Sequence, residues 1–288
     1  MALINNYNYT QFGFSENQNR ELCELASKKT GLTLFAGIAG CGKSYTASKF
    51  AENVRQNNQD GIKAVSVEDP PEYPIPYATA VPVPSDNTDG RAYSRAIKSA
   101  MTGEPDVLFT SEVKDSLVAD YILGSVLSGI IVLSSIISSS PFLAFNRFKK
   151  MATKDMGDDT LLINGIVYQS LIKKTCTKCS KMVTAKAVPE EYAEVFDRLE
   201  SKGLSAIRVR NKKGCFSCYE GTESRTVAAE ILTITPEIYK ALMAGDSLKA
   251  RELFLSGGGK TIQDHALEKV ILGEVDPSDA EKKVGHLG

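Results

Sequence analysis

The sequence predicts an α/β protein built on a mostly parallel sheet with helices on both faces. Three observations predict it. Short β-branched and aromatic runs alternate with helical stretches over the first half of the chain. Those runs lack the in/out alternation of a half-exposed strand, which fits strands covered on both sides. A glycine-rich loop joins the first strand to the helix after it.

Taken in order, Ser15 to Gln18 (SENQ) has the form of a capping box, so a helix is expected to start there and carry Leu22 and Leu25 inward. GLTLFAG (31–37) reads as the first strand, bounded by glycines. KSYTASKFAENVRQNN reads as the helix after the loop, and IKAVSVE as a second strand ending in Glu68. Beyond the proline-rich loop EDPPEYPIPYATAVPVP, a helix is expected from near Asp89. The strand DVLFTS (106–111), the helix 115–127 and the strand IIVLSS follow. From about Thr175 to Glu220 the pattern gives way to an insertion containing Cys, Lys and Gly. TVAAEIL and several short amphipathic helices finish the chain.

The composition narrows the function classes. Among 288 residues, 42% apolar and 24% charged is ordinary for a globular protein. Lys plus Arg (34) nearly cancels Asp plus Glu (35), so there is no global footprint of a nucleic-acid binder. The opening MALINNYNYTQFGF lacks a basic segment followed by an apolar one, so the protein is expected to stay in the cytosol. Tyr121 to Asn146 carries no charge and is long enough to span a bilayer. Gly124, Gly129, the serine run 134–140 and Pro141 instead divide it into helix, strand and turn, so no transmembrane segment is expected.

Gly37-Ile38-Ala39-Gly40-Cys41-Gly42-Lys43-Ser44 matches GxxxxGK[ST] between a strand and a helix, where a phosphate-binding loop must lie. The glycines let backbone N–H groups face phosphates, and the helix N-terminus adds positive potential. Lys43 reaches the β and γ phosphates, Ser44 can ligate magnesium, and Tyr45 follows as a further nucleotide-contacting residue. Hydrolysis also needs carboxylates at the C-terminal ends of neighbouring strands. Glu68 and Glu112 stand there, with Asp69 as a further candidate. Asp106 begins its strand and should point away. An acid at a strand end is often only a helix cap or a surface charge, and the two together make the stronger signal.

Cys176-Thr-Lys-Cys179 and Cys215-Phe-Ser-Cys218 can close a tetrahedral zinc site. Four sulfurs leave no position for water, so the metal would be structural. A redox pair or free thiols are the other readings, and 35 residues between the pairs exceeds the common ribbon spacing. Cys23 and Cys41 lie outside the two pairs.

Together these blocks resemble the secretion-ATPase superfamily, specifically the type II secretion and type IV pilus-assembly branch, over nearly the whole chain. GFSENQNRELCELASKKTGLTLFAGIAGCGKSYT is similar to that family's approach to Walker A, VEDPPEY to its Asp box and GEPDVLFTSEVKD to its Walker B segment. LSGIIVLSSIISSSPFLAFNRF takes the place of its His box, and the paired CxxC insertion that of its zinc element. The resemblance implies a P-loop NTPase (RecA-like) fold, with Glu68 polarising water, Glu112 as the Walker B acid near magnesium, and Arg225 as a structural or subunit-contacting residue. It divides the chain into an ATPase core (1–174), a zinc module (175–220) and the end of the core with C-terminal helices (221–288). Departures are Ile130 and Ile137 at the two His-box histidines, Ser111 for the Walker B glycine and Lys114 for an arginine. Loss of a phosphate-sensing imidazole is expected to slow hydrolysis, alter coupling or mark a divergent subfamily such as conjugative-plasmid relatives. Family members carry an upstream domain that supplies arginines to the nucleotide. Here Walker A begins 36 residues from Met1, so a partial or shortened protein with weak activity in isolation is expected.

The implied function is an ATP-hydrolysing motor for secretion, pilus assembly or conjugative transport. It would use ATP, Mg2+ and Zn2+ as a homo-hexamer on an inner-membrane platform or adaptor, peripheral to the cytoplasmic face of the membrane. The alternative is a nucleotide-binding docking or regulatory subunit with little hydrolysis, suggested by the missing histidines. A DNA-handling role for the lysines around the cysteine pairs is weaker, since such lysines are usually a solvated face.

Overall fold

The computed structural model describes residues 7–58, 61–75, 77–83, 91–157 and 161–287. Its elements are α1 (Glu16–Ala26), β1 (Gly31–Ala36), α2 (Lys43–Asn58), β2 (Ala64–Val67), β3 (Ala78–Val81), α3 (Ala92–Met101), β4 (Val107–Thr110), α4 (Ser116–Leu127), β5 (Ile131–Ile136), α5 (Pro141–Met151) and β6 (Ile163–Thr175). They continue with β7 (Lys181–Thr184), α6 (Ala193–Glu200), β8 (Ala206–Val209), β9 (Thr222–Thr233), α7 (Pro236–Met243), α8 (Ser247–Ser256), α9 (Ile262–Ile271) and α10 (Pro277–Val284).

Seven strands form one sheet in the order β3-β2-β4-β5-β1-β6-β9. Each registered pair from β3 to β6 is parallel. The mostly parallel α/β architecture expected from the alternation is therefore present. All six residues of β1 and all six of β5 are buried, which explains why neither shows a polar face in sequence. Leu32, Leu34 and Ala36 point into a core shared with α3, α4 and α5. Phe35 points the other way and meets Phe50 of α2 edge to face, 5.4 Å between centroids. One strand thus feeds two apolar layers, as its alternating side-chain directions require.

The chain divides into two compact units, the first comprising Met1–Tyr9, Glu16–Tyr168 and Ile231–Gly259, the second Thr10–Ser15, Gln169–Glu230 and Lys260–Gly288. In the first unit, side-chain caps fix the helix starts. Asp115 accepts from Val118 N–H (2.9 Å) and Ser140 from Leu143 N–H (3.1 Å), each worth about 1 kcal/mol. The uncharged run 121–146 is split among α4, β5 and α5, and among the described residues no helix is long and apolar enough to cross a membrane. α3 begins at Ala92, and the expected start near Asp89 lies outside the described residues.

In the second unit, β7 and β8 make a two-stranded antiparallel sheet. Tyr192 Oη donates to Asp276 (2.7 Å), Arg210 pairs with Asp279 (3.0 Å) and Arg198 holds Glu281 through both carboxylate oxygens (2.9 and 2.8 Å). Buried His265 accepts the Ala229 N–H on Nδ1 at 3.0 Å. Lys269, also buried, donates to the Gly13 carbonyl at 2.5 Å.

Four strands stand where the sequence predicts none, two of them, β7 and β8, inside the insertion 175–220. β3 lies within the proline-rich stretch and pairs with β2, and the long β6 follows the serine-rich region and pairs with β1.

Candidate functional site: a phosphate loop and two strand-end acids

The loop 37–42 leaves the C-terminal end of β1 and enters α2 at Lys43. Gly37, Gly40 and Gly42 have φ of 147°, 72° and 87°, a region that residues with a Cβ rarely enter. At Gly40 an added Cβ would meet nothing within 4 Å, so the requirement there is conformational rather than steric. The Lys43 ammonium folds across the loop and donates to the carbonyls of Gly37 (3.0 Å) and Ile38 (2.9 Å). Thr46 N–H closes the first helical turn on Gly42 O at 3.0 Å. Ile38, Ala39 and Gly40 are exposed at the mouth, Cys41 is buried and anchors the loop, and Ser44 and Tyr45 are half-buried in the first turn of α2. The amides at the start of a sixteen-residue helix supply positive potential where the loop opens.

Glu68 follows β2 directly, and Glu112 lies two residues beyond β4. These strands are parallel neighbours with Val67 opposite Thr110, so both acids emerge at one edge of the sheet. That edge also carries the C-terminal ends of β5 and β1 and hence the phosphate loop. Burial raises the carboxyl pKa of Glu68; the Ser66 hydroxyl opposes that shift and Glu72 reinforces it. The half-buried Glu112 carboxylate makes no hydrogen bond or ion pair with the protein among the described residues. Its backbone, by contrast, is held from several sides. Val113 N–H donates to Ser135 O (2.8 Å), the Ser135 hydroxyl donates to Ser111 O, and Glu112 N–H donates to the hydroxyl of Tyr93 on α3 (3.3 Å). Tyr93 carried no signal in the sequence because its partner segment lies across the sheet.

The other singled-out residues separate. Asp69 and Lys114 form an exposed pair at 3.8 Å beside the two acids. Asp106 stands at the opposite strand ends, accepting from Lys63 N–H at 2.8 Å, as expected of an acid that begins its strand. Ile130 is buried ahead of β5, whereas Ile137 is 39% exposed just past that strand's C-terminal end, next to Ile136, whose carbonyl accepts Gly37 N–H at 3.4 Å. Arg225 is exposed on β9 within the second unit.

In the second unit the four cysteines of the two CxxC pairs converge. All their Sγ atoms lie within 4.8 Å of one another, with Cys176–Cys215 at 3.9 Å, Cys179–Cys218 at 3.6 Å and Cys215–Cys218 at 3.5 Å. Tetrahedral thiolate ligation at about 2.3 Å places sulfurs about 3.8 Å apart. The observed spacings fit that figure and exceed the roughly 2 Å of a disulfide. Cys215 N–H donates to Cys218 Sγ at 3.3 Å, a bond within the CxxC turn that orients a ligand sulfur. Phe216, between those two cysteines, is 97% exposed.

The profile of the type II/IV secretion system protein family matches residues 3–282. The chain is 26% identical over 263 residues to the type IV pilus assembly ATPase PilB of Thermus thermophilus, covering 91% of this chain and 28% of that protein. It is 28% identical over 265 residues to the type II secretion system protein E of Dickeya dadantii, covering 91% and 50%. Among solved structures, the ATPase DotB of Legionella pneumophila superposes with a TM-score of 0.64 at 15% identity, covering 96% of this chain and 64% of that one. The pilus retraction motor PilT with bound ADP gives 0.63 at 17%, covering 96% and 66%. Those two likenesses show the fold. The chain spans 28% to 50% of the length of the two curated relatives.

Proposed function

The chain belongs to the type II/IV secretion system protein family, and from that premise we propose that it binds and hydrolyses ATP as the motor domain of a secretion, pilus-assembly or conjugative machine. The observation that carries this is the shared sheet edge, where β1 delivers the phosphate loop and β2 and β4 deliver Glu68 and Glu112.

The backbone amides of Gly37 to Ser44, with Tyr45 beside them, take the phosphates. Lys43 exchanges its loop carbonyls for β and γ phosphate oxygens, a swap of neutral acceptors for anionic ones. Ser44 and Glu112 would hold Mg2+, which when bound would supply positive charge at the transferred phosphoryl group. Glu68, whose carboxyl pKa burial raises above the usual carboxylate value, orients the attacking water and accepts its proton. Asp69 and Lys114 steady the two loops that carry the acids.

Zn2+ held by Cys176, Cys179, Cys215 and Cys218 is structural, because the four thiolates leave no open coordination position. The ATPase core expected over 1–174 draws in 231–259, and the metal-stapled module 175–220 shares its compact unit with 260–288. Arg225 serves as a subunit contact. We assign assembly as a homo-hexamer, peripheral on the cytoplasmic face of a membrane platform, on the strength of the family resemblance alone.

A second reading, a nucleotide-gated docking subunit with little turnover, is favoured by Ile137, which puts a half-exposed aliphatic group beside the phosphate loop. Steady-state phosphate release separates the two. The motor reading expects Mg-dependent turnover that Glu112→Gln lowers by orders of magnitude with nucleotide binding retained. Binding without turnover in any assembly state supports the docking subunit instead.

A further inference from the structure

The Tyr93 hydroxyl lies where the ends of β2 and β4 meet, and three bonds use its full capacity. It donates to Val67 O at 3.4 Å, accepts from the Ser111 hydroxyl at 3.1 Å and accepts from Glu112 N–H at 3.3 Å. Val67 immediately precedes Glu68, so one buried oxygen touches the backbone next to one acid and the backbone of the other. Ser111 N–H also donates to Val67 O, at 3.2 Å. The Lys114 ammonium lies 4.9 Å from the centre of the Tyr93 ring while pairing with Asp69. A glycine at 111 or a phenylalanine at 93 would keep the packing and lose the Ser111 bond, and the phenylalanine would also release Glu112 N–H.

We propose that Tyr93 and Ser111 form a hydroxyl clamp that positions Glu112 relative to Glu68 for reaction at the phosphate loop. Tyr93 touches no reacting atom and is a positioning residue. The inference rests on the ATPase reading above and adds to it the device that sets the spacing of the two acids. The clamp is built from the Tyr93 side chain on α3 and from the residue ahead of Glu112, so it holds the backbone beside the acids and takes up neither carboxylate. A lateral error on the order of 1 Å at a reacting group can cost about a hundredfold in rate. Loss of one of several tethers should cost about a tenth of that, roughly tenfold.

The test uses the full chain with Tyr93→Phe, Ser111→Ala and the double variant, measuring phosphate release, nucleotide affinity and hydrogen exchange across residues 107–118. The clamp predicts kcat about tenfold lower with KM and nucleotide affinity within twofold of wild type. It also predicts faster exchange at Glu112, and a double variant no slower than the worse single one, since both act through one device. Equal turnover in wild type and Tyr93→Phe overturns the clamp and leaves the ATPase reading standing. So do strictly multiplicative losses in the double variant. An inactive wild type overturns the ATPase reading and the clamp with it, even if exchange at Glu112 still responds.

Discussion

Replacing Cys179 by serine removes one of four sulfurs from a cluster in which three of the sulfur pairs, at 3.5 to 3.9 Å, match tetrahedral zinc. Structural zinc sites bind with about 10–16 kcal/mol of apparent free energy that appears as folding energy. A whole domain is typically stable by only about 5–15 kcal/mol. The module's own apolar core is small, chiefly Tyr192, Val195, Phe196, Leu199, Ile207 and Val209. It cannot replace that contribution, so the 175–220 segment should open locally. The phosphate loop lies in the other compact unit and should stay ordered. Colorimetric zinc release should give one zinc per chain in the wild type and a small fraction of that in Cys179→Ser. Hydrogen exchange should accelerate across 175–220 and not across 31–58. A wild-type protein that carries no zinc yet protects 175–220 fully, or a Cys179→Ser variant with unchanged protection, would refute the reasoning.

Lys43→Ala removes a cation that spans the loop and, with nucleotide bound, two charge-assisted bonds. ATP affinity should fall by roughly 30- to 100-fold in a calorimetric titration, corresponding to about 2–3 kcal/mol. Burial raises the Glu68 carboxyl pKa in the folded state, so the folded form holds its proton to higher pH than the unfolded form. Stability from this group is therefore full below the unfolded value and lost as pH rises through the folded one. Glu68→Gln should melt slightly higher than wild type at neutral pH, equally at pH well below the carboxylate range, and be catalytically dead. His265 is held neutral by burial, its pKa lowered from 6.5 to about 3. Protonation of the unfolded state should thus erode stability as pH falls from 6.5 toward 3, and His265→Asn should flatten that slope in acid denaturation followed by circular dichroism.

What was legible in the sequence follows from how local its cause is. The phosphate loop, β1 and α2 depend on glycines, a lysine and short-range periodicity, and α2 spans the residues read for it, Lys43 to Asn58. The cysteine pairs were legible because two tight turns each fix a ligand spacing. Edge strand β3 was hidden because its four residues are half to fully exposed and flanked by prolines, so burial leaves no pattern. β6 alternates only in part, and its pairing with β1 is a long-range choice that periodicity does not encode. Glu68 and Glu112 were legible as strand-end acids. Their common edge required the order β2-β4-β5-β1, which no local rule supplies. The Tyr93 hydroxyl was invisible for the same reason: its partners are 18, 19 and 26 residues away.

The central claim is that one sheet edge grips a triphosphate and aims two acids at its terminal group. A crystal structure of the chain with a nonhydrolysable ATP analogue and Mg2+ tests it most directly. The expected result is β and γ phosphates on the amides of residues 37–44, Lys43 Nζ moved from the Gly37 and Ile38 carbonyls onto phosphate oxygens, and the metal between Ser44 and Glu112. Phosphates bound elsewhere, or Glu68 and Glu112 turned away from the γ phosphate, would contradict it.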